Sequence, residues 1–309
     1  MSRTKATQTT VRPFLKWAGG KSQLLQRYHS LFPEELKNGT VDSYVEPFLG
    51  GGAVFFEVAQ SYAIQRASLS DVNRDIVLAY RVVRSAVDEL IGCLEPYARK
   101  YTSMPIDRRE RFFYEVRTRF NGSMRDLNYQ HQSTEWTSRA AQLIFLNRTC
   151  FNGLFRLNKQ GEFNVPFGRY KSPRILDEDN LRGASELLQV AHIEAADFED
   201  TDERVASHSF VYLDPPYRPI SSTASFTSYS GNGFGDEEQI RLARWFRRLD
   251  ALGSKLMLSN SDPKNIDAHD NFIDDLYSGY RIRRIPARRA INSDGRKRGR
   301  INEVVVTNY

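Results

Sequence analysis

The chain has 309 residues, 40% of them hydrophobic, which is enough for a substantial core in one large domain carrying an insertion, or in two domains. No run approaches the ~18 to 20 apolar residues of a membrane span, and the start, with Arg3, Lys5 and Arg12 among Thr and Gln, lacks the apolar core of a signal peptide, so a cytoplasmic protein with no membrane partner is expected. The only cysteines, Cys93 and Cys150, are far apart, which argues for a reducing compartment and against a zinc site or a disulfide frame; no metal is expected, and the net charge of +6 is unevenly spread.

Along the chain, Pro13 to Gly20 is an apolar and basic entry, and Lys21 to Phe32 has the spacing of a helix, with Leu24, Leu25, Tyr28 and Leu31 on one face. Strand and helix signals then alternate: strand 43–48, helix 53–60, strand 67–71, helix 74–91. Such alternation predicts an α/β fold built on a parallel sheet. Between the first strand and helix, Glu46-Pro47-Phe48-Leu49-Gly50-Gly51-Gly52 has the layout of a nucleotide-binding loop, in which glycines let the backbone approach a ligand closely. Phe55 stands where Gly-x-Gly-x-x-Gly needs its third glycine, so a loop around a smaller cofactor tail is expected and not a pyrophosphate site. Asp71 follows Gly50 by 21 residues, where such folds place an acid on ribose hydroxyls; as a residue type it also suits a helix N-cap.

From about 92 to 175 the character changes to charged, aromatic-rich helices and then a turn-rich stretch, with a hairpin expected over 155–165 around Lys159-Gln160-Gly161. The α/β alternation returns as helix 177–189, strands 190–196 and 209–214, helix 236–251, strand 255–259 and a closing strand pair near 281–290 and 302–308. The division expected is therefore one domain from 12–91 plus 176–309, with 92–175 inserted as a recognition module. Charge follows the same division: residues 139–174 carry seven Lys or Arg against one acid, and 281–300 carry nine against one, leaving the rest of the chain net acidic. Two basic patches on an acidic body are the footprint of a polyphosphate partner.

Asp214-Pro215-Pro216-Tyr217 closes the apolar run Phe210-Val211-Tyr212-Leu213. An acidic acceptor, two stiff prolines and an aromatic face suit an exocyclic amine. The N6 lone pair of adenine is delocalised into its ring, so attack on a methyl donor needs acceptors that pull the nitrogen towards tetrahedral geometry. Asp214 and the Pro215 carbonyl would each take one N–H while Tyr217 stacks on the base. Ser221 to Gly235, rich in Ser, Thr and Gly, follows directly and reads as a loop over that site.

These pieces together resemble the Dam-type (D12 class) DNA adenine-N6 methyltransferases in the alpha motif order. Phe14-Leu15-Lys16-Trp17-Ala18-Gly19-Gly20-Lys21 is similar to the family's N-terminal cofactor motif, Val45 to Gly52 to its glycine loop, and Asp214 to Tyr217 to its catalytic motif. Gly161 to Lys171 is similar to the recognition hairpin of members that read GATC. The resemblance implies a Rossmann-like fold dependent on S-adenosyl-L-methionine with an inserted helical and β-hairpin DNA-recognition domain, a prokaryotic or phage origin, a monomer acting on double-stranded DNA, and an adenine flipped from the duplex. Catalysis would rest on Asp214, Pro215, Pro216 and Tyr217. Trp17, Lys21, Glu46, Phe48, Gly50, Asp71, Asp197, Phe198 and Asp214 would hold the cofactor, with Trp17 and Lys21 at its methionine end, Asp71 at the ribose and Asp197-Phe198 beside its adenine. On DNA, Lys16 would meet the first guanine, Phe151 and Asn152 the space the flipped adenine leaves, Leu154, Arg156 and Pro166 the later base pairs, and Arg169, Tyr170 and Lys171 the phosphates, with Arg296, Lys297 and Arg298 as further cations.

Phe151 replaces a Tyr of close family members, Leu157 replaces an aromatic, and Thr149-Cys150 differs around the turn. Members that read a longer site beginning GAT, within restriction-modification systems, share much of this hairpin. A covalent cytosine-C5 mechanism is disfavoured, because neither cysteine lies in a recognisable nucleophile setting. The other classes to weigh are a DNA-binding regulator without turnover, and an oxidoreductase, which the incomplete dinucleotide loop speaks against.

Overall fold

Apolar runs such as Phe210-Val211-Tyr212-Leu213 and Val304-Val305-Val306 make the strand cores, while the strands Arg66–Asp71 and Arg281–Arg288 interleave Ser and Arg. In a computed structural model describing residues 10–17, 19, 21–124, 127–218, 234–288 and 300–309, the strands among those residues are β1 (Ser43–Glu46), β2 (Arg66–Asp71), β3 (Ala191–Ala195), β4 (Ser209–Leu213), β5 (Lys255–Ser261), β6 (Arg281–Arg288) and β7 (Arg300–Thr307). The chain divides into two compact units. One draws on the stretch up to Ser22 with Gly50–Ser61 and Asn73–Ala195, the other on Gln23–Leu49, Tyr62–Val72 and Ala196–Tyr309.

In the second unit the strands run in the order β2-β1-β4-β5-β7-β6. The first four are parallel, with Val45 beside Val211 and Leu213 beside Leu258, whereas β7 lies antiparallel to both β5 and β6. Every residue of β1 and of β4 is buried, as expected where parallel strands are covered on both faces. The helix Asp236–Ala251 packs Leu242, Trp245, Phe246 and Leu249, spaced as one helical face, into a core with Val211, Leu213, Leu256 and Val304. From β1 the order proceeds one way to β2, and from β4 the other way to β5. The reversal therefore lies between β1 and β4, and open α/β sheets bind ligands beyond the strand carboxyl ends at such a point. Glu46 ends β1, and Asp214 directly follows β4.

The first unit is mainly helical and contains all the described residues of 92–175. Asn73 caps the helix Arg74–Ser85 by accepting from the N–H groups of Asp75 and Ile76, so the cap is not Asp71, which ends β2. Buried Asp75 takes Arg139 of the helix Thr134–Thr149 at 2.9 Å and the Tyr129 hydroxyl at 2.8 Å, while Arg139 also donates to the Phe120 carbonyl and lies 3.9 Å from the Phe120 ring centre. In the turn-rich stretch the Asn158 N–H donates to the Glu162 carbonyl and the Asn164 N–H to that of Arg156, with antiparallel bridges at Leu157–Phe163 and Cys150–Phe167.

Three expectations change. The helix expected over Lys21–Phe32 is a 3-10 turn, Lys21–Gln23, and one α turn, Leu25–Tyr28; the chain then bends, with the Leu31 and Phe32 N–H groups both on the Tyr28 carbonyl. The helix expected over 74–91 is two, because Ala86 leaves helical geometry at φ −147° and ψ 45°. Its N–H closes the first helix on the Val82 carbonyl and its own carbonyl accepts from Leu90, so the break leaves neither group unbonded and the second helix runs on to Ser103. Finally, two cations counted in the 139–174 patch are engaged within the protein: Arg139 is 2% exposed, and half-buried Arg148 donates to the carbonyls of Pro13 and Phe14.

Candidate active site

Parallel pairing with β1 and β5 fixes the end of β4, and the prolines stiffen the turn after it. The Ser259 hydroxyl of β5 donates to Asp214 Oδ1 at 3.0 Å and lies 2.9 Å from the Tyr212 hydroxyl. A serine has one O–H to give. With that proton on Asp214, Tyr212 is the donor to Ser259, and the chain runs from Tyr212 through Ser259 to the carboxylate. Burial, then the Asp214 charge, pushes the Tyr212 phenol well above its usual range, so it keeps its proton to donate. Tyr217 donates to the Glu303 carboxylate of β7 at 3.0 Å. Burial, then the charges of Asp214 and Glu303, raises its phenol well above the usual range too. Gln239 donates to the Pro216 carbonyl at 3.2 Å and is itself held by Asn260. Among the described residues nothing donates to the Pro215 carbonyl, so Pro215 and Asp214 present oxygen acceptors side by side in the chain.

At the end of β1, Glu46 is 2% exposed and accepts from the buried Tyr44 hydroxyl at 2.7 Å. Phe48, Phe198 and Phe234 form an aromatic cluster, with centroids 5.5 Å apart for Phe48–Phe198 and 5.7 Å for Phe48–Phe234. Asp197 caps the following turn, accepting from the Glu199 N–H, and pairs with Arg241, whose guanidinium lies 4.2 Å from the Phe198 ring centre. Half-buried Asp71 bonds through its carbonyl to the Ala196 N–H. An acid next to flat apolar rings suits a purine that carries an amine. These residues, all in the second unit, fit one end of a nucleoside-bearing cofactor.

In the first unit Trp17 stacks on Phe155 at 5.9 Å. Gly50 has φ +46°, and a Cβ there would come within 2.7 Å of the Trp17 indole, so only glycine fits. Lys21 is 3% exposed and donates to the Gly19 carbonyl at 2.9 Å. Asn147 clamps the Lys16 backbone on both sides, to its N–H at 2.7 Å and its carbonyl at 2.9 Å. The Lys16 ammonium sits 4.5 Å from the Tyr170 ring centre, and a Cβ on Gly153 would fall 2.4 Å from the Lys16 chain. Burial, then nearby Arg148, lowers the Lys16 pKa. Phe151 is 50% exposed, and Asn152 beside it holds the left-handed backbone at φ 55°. Leu154 is half-buried, whereas Arg156, Pro166, Arg169 and Lys171 are exposed. Arg156 is aimed by Asn164, which takes its Nε at 2.8 Å, and Arg169 reaches Glu110 at 3.3 Å. Ala18, Gly20, residues 221–233 of the expected loop, and Arg296, Lys297 and Arg298 lie outside the described residues. Burial pushes the Cys150 thiol up to about 12, which removes it as a thiolate nucleophile.

The D12 class N6 adenine-specific DNA methyltransferase model matches residues 17–291. The chain belongs to this family. Type II methyltransferase M.MjaIII of Methanocaldococcus jannaschii is 48% identical over 300 residues, 97% of this chain and 99% of its own length. Type II methyltransferase M1.LlaDCHI of Lactococcus lactis subsp. cremoris is 36% identical across 100% of this chain and 99% of its own length. The DNA adenine methylase of Haemophilus influenzae is 34% identical over 95% of this chain and 92% of its own length. The methyltransferase is thus an enzyme that modifies adenine N6 in DNA, and S-adenosyl-L-methionine is its methyl donor. No helix among the described residues is long and apolar enough to cross a membrane.

Ser259, Glu303, Gln239 and Asn260 were not among the residues singled out from sequence. The signals were present but weak: polar Ser259-Asn260-Ser261 at the end of an apolar strand, and acidic Glu303 just ahead of three valines.

Proposed function

We propose that this methyltransferase flips adenine out of duplex DNA and methylates it within GATC. The observation that carries the reading is the held Asp214 carboxylate beside the Pro215 carbonyl, to which no described residue donates, with the Tyr217 ring tethered through its hydroxyl. Two acceptors on the N6 hydrogens draw the lone pair out of conjugation, and the ring supplies a stacking face that a base inside the helix does not reach. The cofactor supplies an electrophilic methyl group. Asp71 takes its ribose, Phe48, Asp197 and Phe198 its adenine, and Trp17 and Lys21, with Glu46 and Gly50, its amino-acid end. Lys16, Arg156, Leu154 and Pro166 read base pairs, Phe151 and Asn152 enter the vacated stack, and Arg169, Tyr170, Lys171, Arg296, Lys297 and Arg298 meet phosphates. Residues 92–175 form the recognition module with its hairpin at 155–165, and the enzyme works in the cytoplasm as a monomer without a metal ion.

The relatives named type II methyltransferases support a restriction-modification setting, and the second reading places the same chemistry there, on a longer site beginning GAT. Unmodified plasmid treated with enzyme and donor, then digested by endonucleases that are blocked by or require methylated GATC, separates the two. Protection of every GATC supports the first, and protection confined to a longer subset supports the second. Flipping is read from 2-aminopurine at the target position, which brightens on binding if the base leaves the stack and stays dark if it does not.

A further inference from the structure

Glu303 takes no part in any role assigned above, yet its carboxylate accepts the Tyr217 hydroxyl at 3.0 Å, from a strand far along the chain. It stands on β7 directly across from Ser261 of β5, and two residues along the same ladder Ser259 stands across from Val305. Alternation puts Ser259 and Ser261 on one face of β5. One antiparallel ladder therefore carries both groups that hold the catalytic motif: Ser259 grips Asp214 and Glu303 grips Tyr217. The motif itself leaves β4 as a loop, and an aromatic ring on a loop retains rotation about two side-chain bonds. A hydrogen bond at the far end of the ring anchors the hydroxyl oxygen and so restricts the first. The second turns the ring about an axis through that oxygen, and because a phenol O–H prefers to lie in the plane of its ring, the position of the acceptor selects the plane, with a carboxylate making the bond a strong one.

We propose that Glu303 is a positioning residue for methyl transfer, setting the plane of the Tyr217 ring on which the target adenine stacks. The inference rests on the function proposed above. It assigns Glu303 no proton transfer and no contact with DNA; its effect passes wholly through the Tyr217 hydroxyl. A stacking surface tilted away from the base misaligns N6 with the methyl carbon, a defect in the chemical step and not in affinity.

The test is a double-mutant cycle in the full-length enzyme, measuring single-turnover methyl transfer and DNA affinity on a plasmid-derived duplex that the wild type methylates. E303A is expected to slow transfer roughly tenfold or more, the loss of a hydrogen bond to a charged group, with DNA and donor affinity within about twofold. E303Q retains an acceptor oxygen and is expected to recover most of the rate. In a Y217F background E303A is expected to add little, because the hydroxyl it serves is already gone. Should E303A fold poorly, E303M fills the space without an acceptor and completes the same cycle. Multiplicative losses in the double variant, or an effect confined to DNA affinity, overturn the assignment while leaving the enzyme's function intact. A wild type that yields no N6-methyladenine instead removes the reading on which the assignment rests.

Discussion

At the scale of single residues, the chemistry turns on how few groups touch the reacting amine and how many hold those groups still. Asp214→Ala is expected to abolish methyl transfer while DNA binding, measured by anisotropy, stays near wild type, since in the proposed function the carboxylate serves the amine and not phosphate; parallel loss of both would remove that role. Ser259→Ala removes one donor to the Asp214 carboxylate and the acceptor of the Tyr212 hydroxyl and should slow transfer roughly five- to tenfold, the cost of about one hydrogen bond, with the donor's affinity little changed. An unchanged rate would mean that Asp214 needs no such support. Arg156→Ala is expected to relax discrimination at one base pair by about 1 to 3 kcal/mol. Equal weakening on every sequence would make Arg156 a phosphate contact.

At the scale of elements, the first unit depends on a buried ion pair and the second on a strand ladder. Arg139 and Asp75 have side chains 2% and 9% exposed, so cutting one partner leaves a buried charge without its counter-ion. Arg139→Ala should cost about 3 to 5 kcal/mol in denaturant unfolding, far more than the loss of the exposed pair Arg169–Glu110, worth at most about 1 kcal/mol. Comparable losses from both would contradict the burial seen here. Strand β4 was legible in the sequence because Phe210 to Leu213 is an unbroken apolar run, as parallel core strands read, and the helix Asp236–Ala251 because its apolar residues fall on one face. The break at Ala86 was not, since apolar spacing continues across it and only the backbone angles change. The anchors of the motif were hidden for another reason: Ser259 lies 45 residues from Asp214 and Glu303 lies 86 from Tyr217, separations that local patterns do not span.

For the molecule as a whole, the buried phenols set an alkaline limit. Tyr28, Tyr44 and Tyr212 all have pKa values raised well above the usual phenol range, burial being the largest cause in each. Below about pH 10 the folded and unfolded chains both keep these protons, and the stabilisation is complete. Above it the unfolded chain gives up its protons first, so stability falls as pH rises towards the folded-state values. Tyrosinate absorbance from these residues should appear together with the loss of circular dichroism, and its appearance near pH 10 with the fold intact would show that they are not buried. The distribution of charge was only partly legible: counting cations placed Arg139 and Arg148 on a DNA-binding face, whereas one is buried in an ion pair and the other bonds main-chain carbonyls. Phe14 to Lys21, the glycine loop and Asp214 to Tyr217 were legible as motifs because each is contiguous in sequence. The most direct measurement is nucleoside analysis by mass spectrometry of unmodified plasmid after exposure to the purified protein and S-adenosyl-L-methionine. N6-methyladenine with the wild type and none with Asp214→Ala is the expected result; no N6-methyladenine with the wild type, or methyl groups found on cytosine instead, would contradict it.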